Sequence, residues 1–217
     1  MKTAEKMRVG SVILAEIKNP NSAEREDLSL SDWNKLLVVS LMVVLANTLD
    51  LLSTYIVSPN LANEWNVLER VFGLGWAGLI FAKIIGGAIA VAGYYFYLSY
   101  RKSCYPAAGA DFDSFCRTFA YGQGSRSKQD NIIRYLFVNL GYFWAGMQLL
   151  IFWVALDNIL LKFGIVFPLR QYSEIGYHLF QSMIVASIVL YRFYHGNYSR
   201  YLKLQPALID RANTKPV

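Results

Sequence analysis

Charge is what this chain has least of. Asp, Glu, Lys and Arg make up 17% of its 217 residues, against about 25% in a soluble domain. Hydrophobic residues make up 55%, aromatic residues 15%, and mean hydropathy is +0.30. That balance excludes a soluble enzyme, a disordered tail and a nucleic-acid binder with basic grooves, despite a net charge of +6. Histidine is nearly absent as well. His178 and His195 lie on one segment, about 25 Å apart along a helix, so they cannot ligate one haem between them. Cys104 and Cys116 have no third cysteine or nearby histidine to make a zinc site. There is no Walker loop, no nucleophile elbow and no Gly-x-Gly-Asp, and Gly122-x-Gly124 is too short for a nucleotide site. No cofactor and no metal is expected.

What the chain does have is long apolar runs. A bilayer core of about 30 Å takes about 20 residues of helix, and residues 36–57, 71–98, 135–161 and 175–193 each approach that length. The last is the weakest, carrying His178, Gln181 and Arg192. The expected fold is therefore all-α, an integral membrane bundle of four transmembrane helices. Its divisions are a cytoplasmic amphipathic leader (1–35), a first hairpin (36–98), a cytoplasmic loop (99–134), a second hairpin (135–193) and a cytoplasmic tail (194–217). The first 30 residues are mixed in charge and are not expected to form a cleavable signal peptide. The apolar stretch 9–17 is too short to span and is expected at the membrane surface.

Lys and Arg give the orientation. With four spans, seventeen of them fall on the side of the termini and the middle loop, and only Arg70, Lys162 and Arg170 on the other. The positive-inside rule places the larger group in the cytoplasm, and the setting expected is a prokaryotic inner (plasma) membrane. The bilayer itself, and anionic lipids at the cytoplasmic face, are the expected partners, with other membrane subunits or a second copy as further ones. Nucleic acid is not needed to account for the charge. A reducing compartment makes a Cys104–Cys116 disulfide unexpected, and Cys104, at the end of a span, is weighed as an acylation site against an ordinary free thiol.

Within the loop, Phe112, Phe115 and Phe119 recur at helical spacing, which predicts a short amphipathic helix docked on the bundle or the lipid surface. Ser58-Pro59-Asn60 and Phe167-Pro168 read as breaks between helices. Trp65 reads as an interfacial anchor. The tyrosine-rich stretches 94–100 and 191–198 are expected to be interfacial belts.

Charges inside a membrane are costly and are functional candidates by default. Asp50 lies about 21 Å into the first span and Lys83 about 18 Å into the second from the opposite side; the depths coincide if the second helix begins a turn late, and antiparallel neighbours then let the two pair, directly or through a water. Asn47, Asp50 and Thr54 share one helix face, which must turn inward because lipid satisfies none of these groups. Gly78, Ala82, Gly86 and Ala90 form a ridge of small residues on the second span, suited to close helix contact.

These residues carry a resemblance. Asn47-Thr-Leu-Asp50-Leu-Leu-Ser-Thr54, then Asn63-Glu64-Trp-Asn66, then Lys83, resembles an uncharacterised family of small prokaryotic polytopic membrane proteins, a domain of unknown function. Its pattern is Asp-x-x-x-Thr, Glu-x-Asn-Pro and a membrane Lys. Asp50, Thr54, Glu64, Asn66 and Lys83 match over about residues 40–90, and Val67 stands where the family has Pro. The resemblance implies no established activity.

Three readings follow for the buried polar cluster of Asn47, Asp50, Thr54, Glu64, Asn66 and Lys83. In the first, an Asp50–Lys83 pair locks two helices of a non-enzymatic scaffold or accessory subunit. In the second, Asp50 and Glu64 bind a cation or relay protons in a small transporter, with Lys83 as counter-ion. In the third, a carboxylate acts as general base on a lipid or peptide. The first is the expectation.

Overall fold

The structure, a computed structural model, describes residues 28–61, 73–106, 109–121 and 128–213. The 9–17 stretch, Trp65, Glu64, Asn66 and Gly122-x-Gly124 lie outside the described residues. Every regular element among the described residues is helical: α1 (Leu30–Val57), α2 (Gly75–Tyr100), a 3-10 turn (Arg101–Cys104), α3 (Phe112–Tyr121), α4 (Lys128–Gly146), α5 (Gln148–Lys162), α6 (Pro168–Tyr172) and α7 (Glu174–Asn213). Among the described residues, three helical segments are long and apolar enough to cross a membrane: Leu30–Val57, Gly75–Cys104 and Leu136–Lys162. The 40-residue α7 is long enough but is not among them, because polar residues interrupt its apolar half.

Local chemistry sets the helix ends. Ser29 caps α1, its Oγ accepting from the Asp32 amide, and Asp32 in the first turn faces the positive end of the helix dipole. The helix therefore starts six residues ahead of its apolar run. It stops where the apolar pattern predicts: Ser58 N–H bonds back to Thr54 O at 2.7 Å, and Pro59 has no amide to continue the ladder. The Trp76 indole at the head of α2 donates to Pro59 O at 2.8 Å and fastens the next helix to that turn. At the end of α5, Gly164 takes a φ of +76°. Its N–H bonds Leu161 O and that of Ile165 bonds Leu160 O, the Schellman closure for which glycine carries no steric penalty. Pro168 then opens α6 with its φ preset for a helix.

The third apolar run, read as one span, is divided at Met147 into α4 and α5. The division lets one segment face two neighbours. α4 lies along α2, while α5 lies along α1, and α7 packs against both α4 and α5. Two glycines set the first of these contacts. A Cβ on Gly93 of α2 would fall 2.8 Å from Gly141 Cα, and one on Gly141 would overlap the Gly93 carbonyl. The backbones of α2 and α4 therefore touch. A Cβ on Gly146, beside the break, would meet Val189 of α7 at 2.6 Å.

The end of the molecule where α1 starts and α2 and α7 finish holds the aromatic core. Tyr94, Tyr97, Phe115, Phe119, Phe193 and Tyr201 are all buried there with Cys104 and Val138. Tyr97, at 1% exposure, and Tyr94 therefore belong to packed interior rather than to an interfacial belt. Tyr191, 62% exposed, does face outward. The predicted amphipathic helix exists as α3 and docks on protein. Phe115 and Phe119 enter the core, and Phe112 stacks on His195 at 4.6 Å between centroids. Asp111 starts α3 by accepting the Ser114 amide at 2.8 Å; the Ser114 hydroxyl first, and then that amide, hold its carboxyl below the usual range. Cys104 is fully buried, its thiol toward Tyr100 O. That removes the acylation reading in this conformation.

Candidate functional site: polar links between helices

One face of α1 carries Asn47, Asp50, Ser53 and Thr54, all four buried. Its spacing follows the helical period, so an inward turn for one brings the others along. α2 crosses it antiparallel. Gly87 lies against Val43 and Asn47, where a Cβ would sit 3.2 Å from Val43 Cγ1. One turn toward the opposite end, Lys83 meets Asp50, Nζ to Oδ2 at 2.5 Å. The two positions are seven residues before the end of α1 and eight after the start of α2, about 10–12 Å from those ends. A carboxylate and an ammonium withdrawn from water lose several kcal/mol of solvation each, roughly repaid only by close pairing. The 2.5 Å approach is of that kind, although the Lys83 side chain keeps 23% exposure.

The rest of the predicted cluster is distributed. Ser53 Oγ turns back to Asp50 O at 2.9 Å, and Thr54 is buried one turn further along. Glu64 and Asn66 lie outside the described residues. On the small-residue ridge, Gly78 and Ala90 are buried, while Ala82 and Gly86 are half-buried. A Cβ on Gly86 would meet nothing within 4 Å; its carbonyl accepts from Trp144 Nε1 at 3.2 Å. The close approaches of α2 to other helices are instead at Gly87, against the Val43 side chain, and at Gly93, against the Gly141 backbone.

Three polar links were not singled out from the sequence. Asn47 Nδ2 donates to Val43 O and, across the interface, to Gln148 Oε1 at 2.9 Å, tying α1 to the start of α5. Asp157, 2% exposed, receives Arg170 Nη1 at 2.5 Å and the Tyr177 hydroxyl at 3.0 Å. Arg170 also reaches Glu174 at 3.1 Å, so this cluster joins α5, α6 and α7. At the basic end, Arg101 Nη2 donates to Asp32 Oδ1 at 2.7 Å, with Lys35 on the same oxygen at 2.8 Å. The signal for the second link was available: Asp157 and Arg170 are opposite charges on either side of the break after α5. Gln148 offered none, being a single amide inside an apolar run.

Four buried charged side chains stand among the described residues, Asp32, Asp50, Arg101 and Asp157. Each is paired with an opposite charge on another helical element. No group of three or more His, Cys, Asp or Glu side chains comes together among the described residues. His178 meets Gln181 Oε1 at 2.9 Å on its own helix. The chemistry of these clusters is that of fastening: opposite charges and amides closed on each other across helix interfaces.

No family model, curated protein or solved structure matches this chain.

Proposed function

We propose that this chain is a non-enzymatic membrane protein, a scaffold or accessory subunit of a membrane assembly, with the Asp50–Lys83 pair locking its first two spans. In this reading α7 supplies a fourth span, both ends of the chain face the cytoplasm of a prokaryotic cell, and the basic end lies against anionic lipid. The likeness of residues 40–90 to the uncharacterised prokaryotic family belongs to the same proposal.

One observation carries the reading: every buried charge among the described residues is engaged in an ion pair between helical elements. A transport path needs polar groups that face a passage and exchange partners, and these face one another. A second feature agrees. Only 28%, 17% and 22% of the three spans is buried within the chain. Each span leaves a broad apolar surface for lipid or for other helices.

Native mass spectrometry of the protein, extracted gently from its own membrane, tests this. A complex containing unlike chains is the expected result. A chain free of other proteins, with a proton or cation flux in proteoliposomes that disappears in Asp50→Asn, replaces the proposal with the transporter reading. Asp50 and Glu64 then bind the ion and Lys83 balances it.

A further inference from the structure

Beside the break between α4 and α5 lies a cavity of about 450 Å³, bounded by α1, Tyr94 of α2 and both halves of the broken segment. Its volume is that of a small-molecule site, typically about 300–1,000 Å³ with mostly apolar walls and a few placed polar groups. The walls fit that description: Ala46, Ala145 and Phe152 are among them, and the polar side chains are Tyr94, Tyr142 and Gln148.

The unmet need among those three side chains is for an acceptor. The Gln148 amide oxygen already accepts from Asn47. Its Nε2 has no partner among the described residues and is not among the sealed, unpartnered atoms of the chain. A phenol hydroxyl accepts as well as donates, but an amide N–H2 only donates. No ionised side chain lines the cavity. An anion would find no positive charge there, and a cation would find no carboxylate. A neutral acceptor suits an amide nitrogen in a cavity that two phenols also line.

Depth narrows the class further. Gln148 is level with Asn47, ten residues before the end of α1, about 15 Å along the helix and so near the middle of an apolar layer of about 30 Å. A polar group that reaches this depth must belong to a molecule that is otherwise lipid-soluble.

We propose that this cavity binds a neutral, lipid-soluble carbonyl compound, whose carbonyl oxygen accepts from Gln148 Nε2 with the Tyr94 and Tyr142 hydroxyls beside it. A quinone and an acyl ester both carry this chemistry. The site is independent of the scaffold reading, since it involves neither Asp50 nor Lys83.

The test is binding of decylubiquinone to the purified full chain in phosphatidylcholine nanodiscs, read by quenching of tryptophan fluorescence. Trp144 is one turn from Gln148. Saturable quenching is expected, weakened about tenfold in Gln148→Leu, the loss of one well-formed hydrogen bond in a dry site, and abolished in Ala145→Phe, which fills the cavity. Tyr142→Phe keeps the ring packing and weakens binding several-fold with an unchanged melting temperature, so the test does not depend on Gln148→Leu folding. Displacement by methyl palmitate as well as by unlabelled quinone identifies acyl esters as ligands; displacement by quinone alone identifies quinones. Equal displacement by decylbenzene, which has the chain and ring but no carbonyl, overturns the proposal. So does quenching that never saturates, or that is the same in Tyr142→Phe and Ala145→Phe as in the wild-type protein.

Discussion

Gly93 and Gly141 meet backbone to backbone, and no side chain larger than hydrogen fits at either position. Within lipid there is no hydrophobic drive to press helices together, so close contact and polar links supply the association. The α2–α4 contact is the first kind in this protein, and the Asp50–Lys83 pair is the second.

The first prediction concerns that contact. Gly141→Ala forces α2 and α4 apart and destabilises the protein by about 1–3 kcal/mol, the usual cost of overpacking. Gly86→Ala, whose Cβ enters open space, changes stability by no more than about 0.5–1 kcal/mol, and in the stabilising direction, since alanine restricts the unfolded chain. Melting of both variants in mild detergent, followed by circular dichroism, separates them. Equal melting temperatures contradict the contact.

A second prediction concerns the pair. Asp50→Asn leaves Lys83 charged without its partner and destabilises by about 3–5 kcal/mol, as for other buried pairs broken on one side. Asp50→Leu combined with Lys83→Leu removes both charges and recovers most of that loss. A fully stable Asp50→Asn protein that has lost a measurable flux would remove the packing role.

Arg170 and Asp157 give a third. Arg170→Ala strands a carboxylate that is 2% exposed and still faces the Tyr177 hydroxyl. The expected cost is again about 3–5 kcal/mol. Hydrogen exchange over α6 and the first turns of α7 reports it, because these elements meet α5 through that cluster. Unchanged protection there would mean that apolar packing alone holds the three together.

The fourth uses the two thiols. Cys116 is partly exposed and Cys104 is buried, so maleimide labels Cys116 first and Cys104 only after unfolding. Burial, with Asp113 adding to it, pushes the Cys116 thiol above the usual thiol range. The thiolate is the reactive form, so the labelling rate keeps climbing at a pH where an ordinary exposed thiol has already levelled off. A plateau near pH 8.5 contradicts that environment.

Much of this architecture is legible in the sequence for a simple reason: length and apolar content are properties of single segments. The runs beginning at Leu36, Val71 and Tyr135 mark α1, α2 and the α4–α5 segment, whose helices start within about two turns of them. Counting depth from opposite ends leaves Asp50 and Lys83 about a turn apart, and the start of α2 at Gly75, four residues after Val71, brings them level and into contact. What is missed depends on pairs of segments. The break at Met147 has no proline to announce it. Gly87 and Gly86 are neighbours in a sequence of small residues, and only the crossing of α1 decides which of them faces Val43. The tyrosines at 94–100 carry the composition of an interfacial belt, and Phe193, Asn197 and Arg200 of α7, with Tyr142 of α4, cover Tyr97 instead. Nothing in residues 94–100 foretells that cover.

The length of α7 has a further consequence. Forty residues make a rod of about 60 Å, twice the apolar thickness of a bilayer, and its second half carries Arg200, Lys203 and Arg211. In the four-span arrangement proposed above, about half of that rod stands in water, with the aromatic cluster around Tyr201 and Phe115 at its base. The protein therefore answers to two solvents. Its aromatic base is held by the aversion of water for apolar surface, which weakens on cooling, whereas the lipid-facing helices are held by fit and by charge, which do not share that dependence. Chilling should loosen α3 from the rod while the spans below it stay closed.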